Sequence, residues 1–502
     1  MLALDGSTLE GGGQLVRVAL SLSAICEAPI RIYNIRAGRG ANSFYKQTNN
    51  GRGSKSGRGK RGISSPSGRA TDGTAATAAA AKHRPGGGLK ESHLAALRWL
   101  ARECSAEVEG AEASSQDLTF KPARQKYGDR HARRSKTEGN ESGEPEVIEL
   151  KNPGSVWLIW QAIFPYIVFS MLRRRRERPE TPAFRIRLRG GTNVPKSPSS
   201  EYMQQVLLPL FERIGLPKVD IQVLGRGWTT GALEIGEVEI SVFHPRQSPE
   251  DDNARRKSEA DRRPEKQKGR ADGEEDEESE GVTLPPFRIV SPGPITITSV
   301  SMTILAGSPK THSLAESKLV NTLRKIPPFS SPSIPIQLHP SSADSGDERR
   351  LYILLVAQTS AGYALGRDYL SPGRKVTNET ERHRMVEEAV GHVVRSFTRE
   401  CERGSCLDEF AEDQFVIFQA LADGASTVDV GRSGKNKDKT GGEDTGSLHT
   451  RTVRWVCCEM LGTVFDGLGG CEGRGLCREE GGVDMVREGV EVLDIDEDED
   501  EE

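Results

Sequence analysis

Residues 4–35 read LDGSTLEGGGQLVRVALSLSAICEAPIRIYNI, and this stretch predicts the fold class of the chain. Three glycines, Gly11 to Gly13, are followed by a helical pattern over residues 14–25 and a strand-like alternation over residues 28–35. Strand, glycine-rich turn and helix recur about three times along the chain, which is typical of an internally repeated α/β fold. The residues that lie near these turns or helices include Glu10, Gln161 and Asp413.

The segments beyond this stretch continue the alternation of helices and strands. Apolar residues at helical spacing predict helices over residues 91–104, 156–172 and 201–214. Short apolar or alternating runs predict strands over residues 106–108, 118–120, 185–188, 219–224 and 237–243. The last of these strands alternates apolar and polar residues, which indicates a sheet with one solvated face.

The composition indicates a globular core that carries segments without a core of their own. The 502-residue chain has 35% hydrophobic and 5% aromatic residues, with 54 glycines and 27 prolines. Segments rich in charge and glycine cannot bury enough apolar surface to offset the entropy of ordering. The net charge of −4 conceals basic segments that an acidic C-terminal run offsets. We predict disordered inserts at residues 45–82, 122–146 and 431–446, a disordered linker at 246–282 and an acidic tail at 489–502.

Two features of the chain are open to misreading. The apolar run at residues 156–172 precedes four arginines and imitates a membrane span. It is shorter than the roughly 20 residues that a span needs, and it contains Gln161 and Pro165, so we expect a buried helix and no membrane association. The eight cysteines form no CxxC pair, which predicts reduced thiols in an intracellular compartment and no structural metal. The N-terminus carries no pattern of a secretion signal.

The most informative candidate for chemistry is His449, within SLHTRT at residues 447–452. Neutral imidazole is a nucleophile, and a glycine run before a helix lets the backbone approach phosphates closely. Asp413 and Gln414 precede the histidine, and Glu10 precedes the glycine run, which together suit nucleotidyl transfer. A plainer reading remains open for each residue taken alone: His449 as a structural histidine, Arg17 as a surface residue and Asp413 as a helix cap.

The order of these pieces resembles the RNA 3'-terminal phosphate cyclase family. The similar segments run through nearly the whole chain in family order, interrupted by insertions: residues 5–18, 35–39, 154–161, 189–193 with Pro198, 226–228 with 236–238, 413–414 with 420–424, and His449. One family motif is divided between residues 36–39 and 84–93 by the insert at 45–82. That insert is either a long loop or an error of the gene model, such as a retained intron.

The resemblance implies a fold and a domain order. Repeated βαβαββ units would form a large catalytic domain from residues 1–245 and 401–480. A smaller α/β domain, residues 283–400, would be inserted into it, with a strand at residues 351–358 and a helix at 379–398.

The resemblance also implies an activity. His449 would attack the α-phosphorus of ATP to form a histidine–AMP intermediate, and AMP would pass to the 3'-terminal phosphate of an RNA. Attack by the vicinal 2'-hydroxyl would then leave a 2',3'-cyclic phosphate. The implied ligand set is Glu10 for Mg²⁺; Gln161, Pro198, Phe410, Asp413 and Gln414 for ATP; and Arg17, Arg36, Lys90 and either Arg39 or Arg84 for phosphates.

Some positions depart from the family pattern. Phe410 stands where the family commonly has Tyr, so a hydroxyl is lost while the ring remains. Lys90 and Ser92 replace a more usual Arg and Gln near His93.

Two other functions are alternatives to catalysis. One is that of a cyclase-like branch of the family that lacks the nucleophilic histidine and serves ribosomal RNA processing in the nucleolus. The presence of His449 and Glu10 disfavours it. The other is non-specific nucleic-acid binding through the basic inserts, which lack interleaved aromatics for base stacking. For the catalytic reading we expect the nucleoplasm as location, with the cytoplasm as a further possibility. The sequence does not indicate the oligomeric state.

Overall fold

The computed structural model describes residues 1–37, 87–123, 145–172, 182–243, 283–431 and 446–475. Several predictions fall outside these ranges: Arg39, Arg84, the insert at 45–82, nearly all of the inserts at 122–146 and 431–446, the linker at 246–282 and the tail at 489–502. Glu146, the last residue of the predicted insert at 122–146, is the first residue of a strand.

The first repeated unit follows directly from the quoted stretch. Its strands pair in the order β1-β2-β4-β3, with β1 and β2 parallel and the other two pairings antiparallel. Helix α1 has every residue from Gln14 to Ile25 buried, so it is a central helix of the core. The elements are β1 (Leu2–Asp5), α1 (Gly13–Cys26), β2 (Ile30–Tyr33), α2 (Glu91–Glu103), β3 (Glu107–Glu109) and β4 (Leu118–Lys121).

The second unit has the same element order as the first, and its own sheet has the same strand order. Its strands pair as β5-β6-β8-β7, again with one parallel pairing followed by two antiparallel pairings. Its second helix, α4, consists of Ser200–Tyr202, a π-helical segment Met203–Leu207 and Leu208–Arg213. The other elements are β5 (Glu146–Glu149), α3 (Val156–Leu172), β6 (Pro182–Gly190), β7 (Val219–Gly225) and β8 (Gly236–Phe243).

The third unit is interrupted after its first strand. Strand β9 (Arg288–Ile289) pairs in parallel with β15 (Asp423–Val428), although more than 130 residues separate them. The order β9-β15-β17-β16 and its pairing senses repeat those of the first two sheets. The predicted α/β fold with repeated βαβαββ units is therefore confirmed. The remaining elements are α7 (Glu409–Leu421), α8 (Leu448–Leu461), β16 (Val464–Phe465) and β17 (Gly470–Arg474).

The chain between β9 and α7 forms a further sheet with its own apolar cluster. Strands β11-β10-β13-β14 follow one another, and β12 also pairs with β10. Two helices pack against this sheet, and the apolar cluster runs from Val300 to Phe397. The elements are β10 (Ile297–Ala306), α5 (Pro309–Leu323), β11 (Ile336–Leu338), β12 (Ala343–Asp344), β13 (Leu351–Thr359), β14 (Ala364–Leu370) and α6 (Glu379–Glu402).

The core between the three repeated units positions the site. Helix α1 packs against α3 of the second unit and α8 of the third, and α3 also contacts α7. The apolar run at residues 156–172 is buried within this core as helix α3. In the described ranges no helix combines the length and the apolar character that crossing a membrane requires.

Candidate functional site

The glycine-rich loop between β1 and α1 is held by local hydrogen bonds and has two left-handed residues. Asp5 Oδ1 accepts hydrogen bonds from the Ser7 backbone N–H at 2.9 Å and the Ser7 hydroxyl at 2.7 Å. Leu9 has φ 51° and Gly11 has φ 53°, a region that costs energy for leucine but not for glycine. The side chain of Glu10 folds back over the glycines, since a Cβ on Gly12 would lie 2.1 Å from Glu10 Oε1. Any side chain at Gly12 would therefore displace this carboxylate.

Gln14, the second residue of α1, joins the three repeated units. Its Nε2 donates to Asp413 Oδ2 of α7 at 3.1 Å, and its Oε1 accepts from Gln161 Nε2 of α3 at 3.3 Å. Arg17 donates through Nη2 to Gln14 Oε1 at 2.6 Å and through Nε to Gln161 Oε1 at 2.7 Å. Both amide oxygens thus face the guanidinium, and the Gln14 amide nitrogen faces the carboxylate. The orientation of both glutamines is fixed by these partners.

Asp413 is a buried carboxyl group held by two amides. Gln14 donates to one oxygen, and Gln414 Nε2 donates to the other, Oδ1, at 2.8 Å. Burial raises the pKa of Asp413 from 3.8 to about 7, because desolvation disfavours the charged form more than the Gln414 hydrogen bond and the Arg17 charge favour it. A small change of environment therefore changes its protonation near neutral pH.

These residues form one side of a cavity between the repeated units. Its polar lining is Gln14, Gln161, Asp413 and Gln414, and Pro198 lies at the loop before α4. The apolar lining comes from all three units and has a large aromatic content: Val18, Trp157, Trp160, Phe164, Pro165, Met203, Phe211, Ile417 and Phe418. An apolar, aromatic cavity with a few oriented polar groups suits a planar organic ligand.

A basic cluster surrounds His93 at the other end of the loop. His93 is buried, and its Nδ1 accepts the Lys90 backbone N–H at 3.1 Å, so Nε2 carries the proton of the neutral ring. Burial, and after it the positive charges of Arg17, Arg36 and Lys90, lowers the pKa of His93 well below 6.5. A Cβ on Gly13 would lie 2.5 Å from His93 Nε2 and 2.8 Å from Arg17 Nη1. The backbone at Gly13 therefore lies directly beside a group of donors suited to an anion.

Arg36 follows β2 and is held in an unusual backbone conformation. It has φ 54°, and its buried guanidinium donates through Nη1 to the Gly88 carbonyl at 3.0 Å. Gly88 lies just before α2, so Arg36 ties the two halves of the divided family motif together. Lys90, the residue preceding α2, is exposed.

His449 lies in the first turn of α8, and its side chain is exposed. Ser447 caps this helix, since its hydroxyl oxygen accepts the Thr450 N–H at 3.1 Å. One turn further along the helix, Thr452 Oγ1 accepts the backbone N–H of Glu10 at 3.2 Å. Residues three apart on a helix share a face, so His449 projects on the side of α8 that meets the glycine-rich loop. The N-terminal turn of a helix also favours an anion beside it.

Buried ion pairs hold α7 and α8 together behind the site. Glu412 of α7, next to Asp413, lies 3.7 Å from Arg454 of α8 and 3.4 Å from Arg403. Burial raises the pKa of Glu412, while the two arginines oppose this shift. The carboxyl group thus links the two helices that carry Asp413 and His449.

The structure brings together most of the residues that the sequence singled out. Gln161, Pro198, Asp413 and Gln414 line one cavity, and Arg17, Arg36 and Lys90 form the basic cluster. Phe410 lies apart from the cavity lining: its ring is 46% exposed and stacks on the Arg367 guanidinium at 4.1 Å. Arg39 and Arg84 lie outside the described residues.

Sequence reasoning missed Gln14, His93 and Thr452 as site residues. Gln14 and His93 stood inside quoted motifs, but no pattern indicated their partners. Thr452 lies three residues after His449, and that helical spacing was the available signal.

The surroundings of Glu10 fit a magnesium ion held partly by a ligand. In the ranges that the structure describes, no three His, Cys, Asp or Glu side chains are grouped as a protein-only metal site would require. Mg²⁺ is commonly held by one or two carboxylates together with substrate phosphates. A single carboxylate folded over a glycine run, next to a basic cluster, suits that arrangement.

The chain is similar in sequence to known proteins of one family. The family model of RNA 3'-terminal phosphate cyclase matches residues 8–47 and 80–466, which is most of the chain. A protein named RNA 3'-terminal phosphate cyclase from Desulfurococcus amylolyticus is 31% identical over 227 residues, covering 45% of this chain and 43% of that protein. Proteins of the same name from Saccharolobus solfataricus and Ignicoccus hospitalis are 30% and 29% identical, over 45% and 48% of this chain and 46% and 47% of theirs. The aligned part thus spans less than half the length of these relatives.

Proposed function

The chain belongs to the RNA 3'-terminal phosphate cyclase family, and from this we propose that it converts an RNA 3'-terminal phosphate to a 2',3'-cyclic phosphate with ATP as co-substrate. The observation that carries the proposal is the convergence of the three repeated units on one site. The cavity reaches Gln14, the basic cluster lies beside Gly13, and the helix that bears His449 contacts the Glu10 backbone.

In the first proposed step, an imidazole nitrogen of His449 attacks the α-phosphorus of ATP. An N–P bond forms, the bond from the α-phosphorus to the bridging oxygen breaks, and pyrophosphate leaves with that electron pair. The base and ribose occupy the apolar cavity, where Gln161, Pro198, Asp413 and Gln414 orient them. Glu10, together with phosphate oxygens, would hold a Mg²⁺ ion, which would neutralise part of the triphosphate charge.

In the second proposed step, an oxygen of the RNA 3'-phosphate attacks the phosphorus of histidine–AMP. The N–P bond breaks, His449 is released, and the RNA ends in a phosphoanhydride to AMP. The vicinal 2'-hydroxyl then attacks the RNA phosphorus, loses its proton and expels AMP. A phosphate dianion lacks a good leaving group, and AMP provides one.

The role of this chain's residues is mainly positioning and charge stabilisation. Arg17, Arg36 and Lys90 form the proposed binding site for phosphates, where guanidinium groups match the geometry of phosphate oxygens. His93 adds a neutral donor at the same place. His449 and Glu10 are both present, so the chain has the nucleophile that the non-catalytic branch lacks. We propose the nucleoplasm as the place of the reaction.

The proposal is tested by converting defined RNA ends. An RNA with a 3'-terminal phosphate, incubated with ATP, Mg²⁺ and the full chain, should become resistant to phosphatase as the cyclic phosphate forms. The same RNA with a single 2'-deoxy nucleotide at its end should stop as the adenylated species, because it lacks the attacking hydroxyl. An RNA with a 3'-hydroxyl is the negative control. No ATP-dependent change of the 3'-phosphate RNA would contradict the proposed function.

A further inference from the structure

Thr452 lies between the two parts of the site that must act together. Its hydroxyl is buried in α8 one turn after His449, and it contacts the glycine-rich loop of a different repeated unit. The contact joins residues 442 positions apart in the sequence. Thr452 does not line the cavity, so it has no direct contact with a nucleotide there.

The hydrogen bonds of this hydroxyl have a defined direction. The Thr452 hydroxyl donates its one proton to the Leu448 carbonyl at 2.7 Å, and its oxygen accepts the Glu10 backbone N–H at 3.2 Å. A bond to the carbonyl four residues earlier is ordinary for threonine in a helix. The second bond is not part of the helix. Together the two hydrogen bonds connect the backbone of Glu10, through the Thr452 hydroxyl, to the backbone carbonyl of Leu448, which directly precedes His449.

The glycine-rich loop, on the other side of this contact, contains a residue in an unfavourable backbone conformation that the hydrogen bond to Thr452 can stabilise. Leu9, directly before Glu10, adopts a left-handed φ of 51°, which is unfavourable for a leucine. Its side chain is 39% exposed, so packing contributes little to holding it there. A hydrogen bond from the next backbone N–H to a rigid helix opposes relaxation of this loop.

We propose that Thr452 is a positioning residue that sets the distance between the His449 imidazole and the phosphates bound at the Glu10 loop. This inference rests on the proposed function, because it assigns His449 as nucleophile and Glu10 as the ligand of Mg²⁺. In-line attack depends steeply on the placement of the reacting atoms, and a misplacement of about 1 Å can cost a hundredfold in rate. Thr452 touches neither group directly and acts through the two backbones that carry them.

The test compares Thr452→Val, which keeps the shape and removes the hydroxyl, with Thr452→Ser, which keeps the hydroxyl. Thr450→Val is the matched control, because Thr450 is equally buried in the same turn and its hydroxyl bonds to Ser447 within the helix cap rather than, among the described residues, to the glycine-rich loop. Single-turnover transfer of label from α-labelled ATP to the full chain measures the chemical step, and ATP affinity is measured separately. Amide hydrogen exchange, resolved at Glu10 by fragmentation of the N-terminal peptide, measures the tether without any activity.

Thr452→Val should slow label transfer by about tenfold to a hundredfold. It should speed exchange of the Glu10 amide and leave ATP affinity unchanged. Thr452→Ser and Thr450→Val should stay close to the unmodified chain in all three measurements. If Thr452→Val does not fold, the same comparison is made with Thr452→Ala and Thr450→Ala.

Label transfer by Thr452→Val at the unmodified rate would overturn the inference, as would equal losses in Thr452→Val and Thr450→Val. Failure of the proposed function has a different signature, since the unmodified chain would then take up no label. In that case unchanged exchange of the Glu10 amide in Thr452→Val would still refute the tether.

Discussion

Arg17 fixes the orientation of two side-chain amides in the cavity, and its own position explains why a lysine could not replace it. The guanidinium is 7% exposed and donates to Gln161 and Gln14 from two different nitrogens. The planar guanidinium group can donate to both amide oxygens at once, whereas the single ammonium group of a flexible lysine side chain cannot hold the same geometry.

We therefore expect Arg17→Lys to destabilise the chain by about 1–3 kcal/mol and to weaken ATP binding, because one amide loses its charged donor. The control is Arg189→Lys, at a half-exposed arginine of β6 that pairs with Glu237 at 3.0 Å. That change should cost less than about 1 kcal/mol. Urea unfolding and ATP titration measure both variants. Equal effects of the two substitutions would show that Arg17 has no special role.

The ionisation of Asp413 predicts a dependence of stability on pH. Burial raises the pKa of Asp413 from 3.8 to about 7 in the folded chain. The neutral carboxyl group therefore contributes fully to the free energy of unfolding below pH 4, and this contribution is lost as the pH rises to about 7. Asp413→Asn removes this loss. Between pH 4 and pH 8, the free energy of unfolding of the unmodified chain should thus fall by up to about 4 kcal/mol relative to that of the variant.

The measurement is the free energy of unfolding of both proteins at several pH values in this range. Burial also raises the pKa of Glu400 to about 7 and of Asp368 to about 6, but both groups are present in both proteins and cancel in the difference. A difference that does not change with pH would contradict the raised pKa of Asp413 in the folded chain.

Individual site residues were predictable where their residue type and their place in a motif indicate their chemical role. Asp413, Gln414 and Gln161 were singled out in this way and lie in one cavity. Gln14 was not, because its importance comes from partners 147 and 399 positions away, and sequence spacing does not encode such contacts. Phe410, predicted to bind ATP, does not line this cavity, and its ring packs on the guanidinium of Arg367, which lies in β14 of the inserted segment.

Where the glycine-rich loop joins α1, glycine is needed because a side chain would not fit, and not because the backbone must be flexible. Gly12 has φ −123°, which any residue adopts, yet a Cβ there would meet the Glu10 carboxylate. The glycine run therefore makes room for a side chain of its own loop.

Gly12→Ala should fold normally and lower the rate of label transfer from ATP by about a hundredfold, because the Glu10 carboxylate is displaced. Gly293→Ala is the control, since a Cβ at Gly293 would meet no atom within 4 Å. The rates of both variants are compared at saturating ATP over a series of Mg²⁺ concentrations. A Gly12→Ala protein with an unchanged rate and unchanged Mg²⁺ dependence would refute this role of the loop.

Most elements of the first two units were predicted with small errors at their ends, but the strands Leu2–Asp5 and Glu146–Glu149 were not predicted. The helix predicted at residues 14–25 is Gly13–Cys26, and the strand predicted at 185–188 is longer, Pro182–Gly190. Apolar periodicity marks the buried part of an element, but backbone pairing extends beyond it. The π-helical segment Met203–Leu207 had no signal, because its apolar pattern reads like that of an α-helix.

Asp408 connects the inserted segment to the repeated units. Its Oδ1 accepts hydrogen bonds from the Tyr202 hydroxyl at 2.6 Å and from the first turn of α7, and its Oδ2 accepts the Gly366 N–H of β14 at 2.7 Å. One buried carboxylate thus connects the second unit, the third unit and the inserted sheet.

Asp408→Ala should destabilise the chain by at least about 3 kcal/mol, since it leaves four donors, three of them buried, without their acceptor. Asp466→Ala is the control, because Asp466 accepts the N–H groups of Leu468 and Gly470, which lie within its own turn. It should cost about 1 kcal/mol. Urea unfolding of both variants is the measurement, and equal losses would contradict the connecting role of Asp408.

The repetition of the fold was predictable, whereas its assembly was not. Recurring turn and helix patterns indicated the units, and each of the three sheets has the same strand order. The contact between Tyr202 and Asp408 spans 206 positions and involves residues that no pattern distinguishes. Long-range polar contacts of this kind decide how the units meet, and they depend on the packing of the complete chain.

The proposed reaction requires that His449 becomes adenylylated, and this can be measured directly. The full chain is incubated with α-labelled ATP and Mg²⁺ and separated on a denaturing gel, beside His449→Ala and Thr450→Val. We expect an acid-labile adduct on the unmodified chain and on Thr450→Val, located by mass spectrometry at His449 with the mass of AMP. His449→Ala should fold normally and take up no label. Label that persists in His449→Ala, or that maps to another residue, would contradict the assignment of His449 as the nucleophile.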